Sequence, residues 1–250
     1  MKKMIVASIF LASSLLALTN QEIADKADKV TDGFESSIAK TQMTLINASG
    51  QRSVRDLLMK TLEGEAGDKT VSIFLSPADV KGTKVLGWEH ADRDDDQWLY
   101  LPALKRVKRI ASRNKSGSFM GSEFSYEDIG NQNPSKFSFE GEPEVVMLNG
   151  VECYKGARTP KDKNSGYTKQ VTWVDTKNFL IQKIAYYDRK KEHLKTAIFS
   201  DYKQIDGVWR VGKIEMKNHQ NDKSTLLIWK EDKIKTGLNS RDFDKRELKK

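Results

Sequence analysis

The side chains that most often perform catalysis or bind metals are few in this chain and lie far apart. Its 250 residues include three histidines, His90, His193 and His219, and one cysteine, Cys153. Zinc sites need such ligands a few residues apart, and nucleophilic catalysis needs a base beside its nucleophile; neither spacing occurs. A GxSxG motif and a Gly-rich phosphate loop are also missing from the sequence. We therefore predict a protein that is not an enzyme and uses no metal or other cofactor.

An acidic run at residues 92–96, DRDDD, resembles the beginning of a calcium-binding loop. A loop that begins at Asp92 needs glycine at its sixth position and glutamate at its twelfth. Those positions hold Gln97 and Ala103. The run is therefore interpreted as a solvated turn that leads into a strand.

A basic cluster follows about ten residues later. It consists of Lys105, Arg106, Lys108 and Arg109. Such side chains can bind a phosphate headgroup or a partner protein, and a solvated strand face is an equally open interpretation. The other basic residues behind the formal net charge of +8 are scattered among acidic ones, which favours a solvated surface and leaves an anionic membrane or acidic partner as the weaker alternative. The export signal described below argues against a nucleic-acid partner.

Period-two patterns predict the elements that carry these residues. In TVSIFLS, Val71, Ile73 and Leu75 alternate with polar residues, and later runs are similarly rich in Val, Ile, Tyr and Trp. Asn149-Gly150 and Asp206-Gly207 predict tight hairpins. About ten antiparallel strands are expected, and so many should curl into a barrel or part-barrel. Such a sheet either encloses an apolar ligand or packs as a sandwich core.

Two segments depart from the strand pattern. Ile23, Ala27 and Val30 recur at helical spacing, so they predict one amphipathic N-terminal helix with Asn20 as its cap. Residues 102–130 have no clean period, yet they contain many apolar side chains. A long irregular insertion is usually functional or disordered, and its apolar content argues against disorder. A short helix is predicted at 122–129 within it.

The N-terminus has the pattern of a signal peptide. Lys2 and Lys3 precede an uncharged, mostly apolar run at 5–18, in which small residues provide a cleavage zone. The run is short for a membrane anchor, which needs roughly 20 apolar residues. We therefore predict a cleaved signal peptide at 1–18 and a single exported domain at 19–250. Because Cys153 is the only cysteine, attachment of lipid to a new N-terminal cysteine is not expected.

Three segments together resemble the LolA/LolB-like superfamily, in particular its outer-membrane lipoprotein-sorting group. They are QWLYLPALKRVKRIASRNKSGSFMGSEFSYEDI, VTWVDTKNFLIQKIAYYD and AIFSDYKQIDGVWRVGKIEM. The first segment is the most specific to that group. The resemblance implies a mainly β (α+β) fold: an incomplete antiparallel β-barrel of about ten strands, with an N-terminal helix and a short helical lid enclosing an apolar cavity. The arginine with which lipoprotein carriers latch their lid has no match that can be assigned here.

The resemblance also implies a function in the periplasm. The expected role is a carrier or binding protein for lipid or lipoprotein acyl chains, delivering toward the outer membrane or working with an inner-membrane lipid exporter. The alternative is a non-enzymatic sensor that binds a membrane-protein partner through the basic cluster. The side chains expected to line the cavity or lid are Trp98, Tyr100, Leu101, Leu104, Phe119, Met120, Phe124 and Tyr126.

Overall fold

The structure is a computed structural model that describes residues 18–130 and 133–250. Of the predicted signal peptide, residues 1–17 lie outside the described residues, so that prediction is not addressed by the fold. In the described part of the chain, no helix has both the length and the apolar character needed to cross a bilayer.

The predicted N-terminal helix is present as α1 (Asn20–Lys29). Its cap is Thr19 and not Asn20. The Thr19 hydroxyl accepts a hydrogen bond from the Glu22 backbone N–H (3.2 Å), and the Glu22 carboxylate accepts one from the Thr19 N–H (2.8 Å). This reciprocal pair satisfies two donors at the helix start. Ile23 and Ala27 form the buried face of the helix.

Fifteen strands are present in the described residues. They are β1 (Ser36–Ile46), β2 (Arg52–Leu62), β3 (Lys69–Ser76), β4 (Lys84–Trp88), β5 (Asp96–Leu101), β6 (Arg106–Ile110), β7 (Phe137–Leu148), β8 (Val151–Pro160), β9 (Tyr167–Asp175), β10 (Ile181–Asp188), β11 (His193–Ser200), β12 (Lys203–Ile205), β13 (Val208–Arg210), β14 (Lys213–Asn218) and β15 (Ser224–Ile234).

Thirteen of these strands form one antiparallel sheet that does not close into a barrel. Its order is β6-β5-β4-β3-β2-β1-β15-β14-β11-β10-β9-β8-β7, so β6 and β7 are the two free edges. The predicted number of about ten strands was wrong. One cause is that β6 lies in the region interpreted as irregular. Its sequence, RVKRI, has three basic residues and no apolar alternation, so its strand conformation depends on pairing with β5 and could not be predicted from periodicity.

The two predicted hairpins are confirmed. Asn149-Gly150 joins β7 to β8, and Asp206-Gly207 joins β12 to β13, which pair in a separate small sheet. All four turn residues have positive φ, between 48° and 85°. A two-residue turn needs this backbone conformation to connect strands that have the usual right-handed twist. Asn, Asp and Gly adopt it most readily.

Hydrophobic clusters lie on both faces of the sheet. The concave face carries the main core, in which Met43, Phe74 and Ile184 are fully buried. The outer face of β3–β5 carries a second cluster, in which Trp98 packs with Phe243 and Leu248 of the C-terminal tail. The indole N–H of Trp88 also donates to the Phe243 carbonyl (2.9 Å).

The turns of the sheet are divided between two ends. Because β1–β6 are consecutive antiparallel neighbours, the connections at 47–51, 77–83 and 102–105 lie at one end, called here the upper end. The connections at 63–68 and 89–95 lie at the opposite, lower end. The chain after α1 also reaches the lower end, where the Gly33 N–H donates to the Glu63 carboxylate (2.8 Å).

Candidate functional site

A cavity of ≈ 320 Å³ lies on the concave face of the sheet. Helix α1 forms one wall, and the segment at 111–130, called here the inner segment, forms another. The sheet supplies the remaining wall from strands on both sides of β1. Apolar side chains that line it are Ile23, Ala27, Ala39, Met59, Phe124, Ile129, Tyr186, Phe199, Trp209, Met216, Leu227 and Trp229. A concave, mostly apolar site with a few polar groups is typical of small-molecule binding sites.

Carboxylates line the lower end of this cavity. Asp28, Asp32 and Asp68 are shared with an adjoining cavity of ≈ 700 Å³, which Glu63 also lines. These four residues are called here the acidic mouth. Burial, followed by the nearby charges of Asp32 and Asp68, raises the pKa of Asp28 to about 6. Burial and the charge of Glu63 also raise the pKa of Asp32. Asp28 is therefore only partly ionised in mildly acidic solution.

Arg158 is a buried cation in the wall of the cavity, with only 4 % of its surface exposed. Its Nε donates to the Gln170 side-chain oxygen (2.9 Å), and its guanidinium lies 3.9 Å from the centre of the Phe137 ring. Burial lowers the pKa of Arg158 to about 10, and the charges of Tyr186 and Asp28 oppose that shift. The guanidinium therefore stays positively charged at neutral pH.

The inner segment is not a helical lid, so that part of the predicted fold was wrong. Of the predicted helix at 122–129, only Tyr126–Asp128 forms a 3₁₀ turn. Ser125, in the middle of the predicted helix, has an extended backbone (φ −90°, ψ 166°) and pairs with Ser118 in a short antiparallel bridge, so no α-helix can run through it. The Asp128 carboxylate then accepts from the Ser125 N–H (2.6 Å), which closes the turn on itself.

A buried ion pair fastens the inner segment to β11. The Lys195 ammonium donates to the Asp128 carboxylate (2.6 Å) and to the Glu123 carbonyl (2.8 Å). The two charged side chains are only 4 % and 3 % exposed. The Tyr167 hydroxyl also donates to Asp128 (2.8 Å). Because both charges are satisfied by several partners, the pair is well placed to hold this part of the segment in one position.

Further contacts fasten the inner segment elsewhere. The Glu127 carboxylate accepts from the Ser165 hydroxyl (2.7 Å) and the Gly166 N–H (2.8 Å), and burial raises its pKa. Arg55 on β2 donates to the Met120 carbonyl. The Glu123 N–H donates to the Thr225 hydroxyl of β15 (2.9 Å). The segment is thus connected to strands across most of the sheet.

Four of the predicted cavity or lid residues come together in the inner segment. Phe124 lines the cavity. Phe119 is 1 % exposed and packs against Phe74 (ring centres 6.0 Å apart) and edge-on against Tyr126 (5.6 Å). Met120 packs against the same core. Their contact with a ligand stays a prediction, and Phe119 is also an integral part of the hydrophobic core.

The other four predicted residues have a different location. Trp98 and Tyr100 belong to the cluster on the outer face, since alternation along β5 directs them away from the concave side. Leu101 lies at the end of β5, and Leu104 follows it in an exposed turn, with 62 % of its surface accessible. The C-terminal tail that covers Trp98 gave no sequence signal that it would do so.

The predicted headgroup-binding or partner-binding residues lie along the edge strand β6 and the turn before it. Lys105, Arg106 and Lys108 are exposed. Arg109 donates to the Asp96 carboxylate (2.5 Å). Although burial acts to raise the pKa of Asp96, hydrogen bonds from Arg109, Arg93 and His90 lower it to about 2. Their role in binding stays a prediction.

Sequence patterns did not identify the polar residues that organise the cavity. Arg158, Asp128 and Lys195 are separated by tens of residues, and only the fold brings them to the concave face. A weak signal exists for Lys195, because it is the one charged residue in the run 194–199, LKTAIF. A lysine inside an apolar strand is rarely fully buried unless it is paired.

Comparisons with known proteins agree on the family. A family model described as an uncharacterized protein matches residues 66–250. An outer membrane lipoprotein-sorting protein domain from Vibrio parahaemolyticus is 47 % identical, with a TM-score of 0.88 over 92 % of this chain and 98 % of that chain. A DUF1329 family protein from Desulfovibrio piger is 32 % identical, with a TM-score of 0.84 over 91 % and 97 %.

A more distant likeness concerns the fold alone. A LolA superfamily protein from Nitrosomonas europaea is 19 % identical, with a TM-score of 0.74 over 92 % of this chain and 100 % of that chain. No curated protein sequence matches the chain.

Proposed function

Because this chain belongs to the family of outer membrane lipoprotein-sorting protein domains and shares the LolA fold, we propose that it is a non-enzymatic periplasmic carrier of acyl chains. Its cargo would be a lipid or the lipid part of a lipoprotein, taken toward the outer membrane or received from an inner-membrane lipid exporter. The observation that carries this proposal is the apolar cavity of ≈ 320 Å³ between α1, the inner segment and the sheet.

The walls of the cavity favour an acyl chain over a polar ligand. Each buried methylene contributes roughly 0.8 kcal/mol, so a chain that enters only partly gains several kilocalories per mole. Aromatic and aliphatic side chains from β1, β14 and β15 line the site, and Phe124 closes it from the inner segment. Alanines at 27 and 39 leave space where larger residues would fill the cavity.

The cavity is also amphipathic, which fits an amphiphile. Its sheet wall is mostly apolar, with Arg158 as a buried cation, whereas the acidic mouth is charged and continues into the larger adjoining cavity. A lipid bound here would bury its chain against the sheet and leave its polar group near the mouth. Partition into a covered site is the physical requirement for moving such a molecule through water.

Export and free diffusion are part of the proposal. The run at 1–18 has the order of a signal peptide, and the only cysteine of the sequence is Cys153, which is fully buried in β8. Lipid attachment at an N-terminal cysteine would therefore have no acceptor thiol. A carrier without an anchor can move between two membranes.

The test is native mass spectrometry of the exported protein, purified from its own periplasm without detergent. We expect masses that correspond to bound lipid. Ala39→Phe places a ring into the cavity and should abolish those masses. Val54→Phe is the matched control, because Val54 is 46 % exposed and does not line the cavity, so its lipid occupancy should equal that of the wild type.

Unchanged thermal unfolding would show that Ala39→Phe is folded. A wild-type protein that is empty after purification and takes up no lipid from vesicles would contradict the proposal. Equal occupancy in Ala39→Phe and the wild type would contradict the assignment of the cavity as the binding site.

A further inference from the structure

An apolar side chain projects into solvent at the upper end of the molecule. Leu104 is 62 % exposed at the end of a tight 3₁₀ turn, Pro102–Leu104, between β5 and β6. Lys105 follows in a left-handed conformation (φ 48°), which turns the chain sharply into β6.

The chain around Leu104 is uniformly basic. Residues 102–115 include six lysines and arginines and no carboxylate. Two of these cations have acidic partners, since Arg109 binds Asp96 and Lys115 binds Asp162. Over residues 18–130 and 133–250, no ion pair involves Lys105, Arg106 or Lys108. All three are exposed, on or directly before the free edge strand β6.

The C-terminal tail extends this basic surface. Its last turn, Lys245–Lys249, packs against β4, β5 and β6. Lys245 is held with its ammonium 5.0 Å from the centre of the Trp98 ring, and Lys249 is exposed nearby in the same turn. Because Val107 packs into the outer-face cluster with this tail, Arg106 and Lys108 lie on the opposite face of β6. Cations from two distant parts of the sequence therefore flank this edge of the sheet on both faces.

We propose that Leu104, Lys105, Arg106 and Lys108, called here the basic tip, dock the protein on the surface of an anionic lipid bilayer. Lysine and arginine are attracted to anionic lipid headgroups, and an apolar side chain among them can insert into the membrane–water interface. Neither signal is strong alone, and their combination is what gives stable but reversible binding. A single exposed leucine among unpaired cations matches the two components of an anionic membrane surface, its headgroup charge and its apolar interior.

Docking through the basic tip also fixes an orientation. The acidic mouth lies at the lower end, so the same surface potential that attracts the tip repels the mouth. A docked molecule would therefore present its cavity to the aqueous side. This inference goes beyond the carrier function and does not depend on what the cavity holds.

The test is sedimentation of the full exported protein with vesicles. We expect binding to phosphatidylcholine vesicles that contain roughly 30 mol% phosphatidylglycerol, weak binding to phosphatidylcholine alone, and loss of binding at high salt. The triple variant Lys105→Gln, Arg106→Gln, Lys108→Gln should lower the partition coefficient about tenfold or more. Leu104→Ser should lower it less.

The matched control removes the same charge at the lower end. Lys29 ends α1, and Lys177 and Lys203 follow β9 and β11, whose C-terminal ends the antiparallel strand order places at the lower end. All three are exposed, and their replacement by glutamine should leave vesicle binding near the wild-type level. Equal losses in the two triple variants would overturn the proposal, because net charge and not the basic tip would then explain binding.

An environment-sensitive label reports the orientation. Cys153 is fully buried, so a single label can be directed to Leu104→Cys or, at the lower end, to Glu65→Cys. We expect a blue shift with anionic vesicles at position 104 and none at 65. A shift at 65 alone overturns the proposal. Failure to bind vesicles, together with tip-dependent binding of an acidic membrane protein, overturns it in favour of a protein partner.

Discussion

The two walls of the cavity that lie outside the sheet, the inner segment and α1, are attached to the sheet by different interactions. The inner segment is fastened by buried polar groups, of which the Lys195–Asp128 pair at 2.6 Å is the most deeply buried. Helix α1 is held mainly by apolar contact of Ile23 and Ala27 with Val174. Its buried polar side chain is Asn20, whose amide donates to the carbonyls of Glu140 (3.2 Å) and Gly141 (2.9 Å).

For the proposed carrier function, the difference indicates which wall would open more easily to admit cargo. Breaking the inner segment free would leave charges buried without partners, and that costs several kilocalories per mole. Separating α1 exposes a modest apolar area and two amide hydrogen bonds, which water can replace. The apolar insertion that the sequence marks as a lid is therefore a fixed wall, and α1 is the wall with the lower cost of opening.

The largest expected effect comes from breaking the buried pair. The Asp128 side chain is only 3 % exposed, and Lys195→Met removes the cation that compensates its buried charge. We therefore expect the free energy of unfolding to fall by about 3–5 kcal/mol. Urea denaturation of the variant and the wild type measures this difference in the free energy of unfolding. Adding Asp128→Asn to Lys195→Met should recover part of the loss, because the uncompensated charge is gone. A loss below about 1 kcal/mol in the single variant would contradict a fixed inner segment.

A smaller effect is expected from loosening α1. A Cβ at Gly156 would lie 2.0 Å from the Asn20 side-chain oxygen, so Gly156→Ala must displace Asn20 and its hydrogen bonds. Amide exchange in residues 23–29 should then rise about tenfold, while the inner segment keeps its protection. Asn20→Ala removes the same bonds without a clash and should give the same pattern. Equal acceleration in both walls would refute the distinction.

The smallest effect concerns the charge at the acidic mouth. Because the pKa of Asp28 is raised to about 6 in the folded protein, the folded state binds this proton more tightly than the unfolded chain does. Its contribution to stability is therefore present at pH 4 and is lost as the pH rises through about 6. Asp32, Asp68 and Asp25 disfavour the ionised form, and Arg158 favours it.

Asp28→Asn cannot ionise, so it avoids the decrease in stability that accompanies ionisation of Asp28. We expect it to stabilise the protein at pH 7.5 by about 1 kcal/mol, a value reduced for solvent screening because Asp28 is partly exposed. The difference from the wild type should vanish near pH 4, and thermal unfolding across this range measures both. A variant that is less stable than the wild type at pH 7.5 would show that Asp28 makes a favourable ionic contact in the folded state.

Local patterns predicted the elements whose causes are local. Helix α1 follows from the spacing of Ile23 and Ala27, and the two hairpins follow from Asn149-Gly150 and Asp206-Gly207. The mainly β, open antiparallel fold followed from alternation together with the family resemblance. Each depends on residues that are near one another in sequence, which is where propensity and turn chemistry act.

Features with long-range causes were missed. Lys195 and Asp128 are 67 residues apart and meet only because the inner segment crosses the concave face. Trp98 faces outward because the C-terminal tail, more than a hundred residues later, provides its cover. Alternation in β5 fixes which side chains share a face, but it does not say which face becomes the cavity.

The most direct test of the carrier proposal is transfer of a fluorescent lipid from donor to acceptor vesicles through water. We predict a transfer rate that rises linearly with the concentration of the wild-type protein, that Ala39→Phe reduces to the protein-free rate, and that Val54→Phe leaves unchanged. A wild-type protein that gives no transfer above the protein-free rate, or an Ala39→Phe variant as fast as the wild type, would contradict the carriage of acyl chains in this cavity.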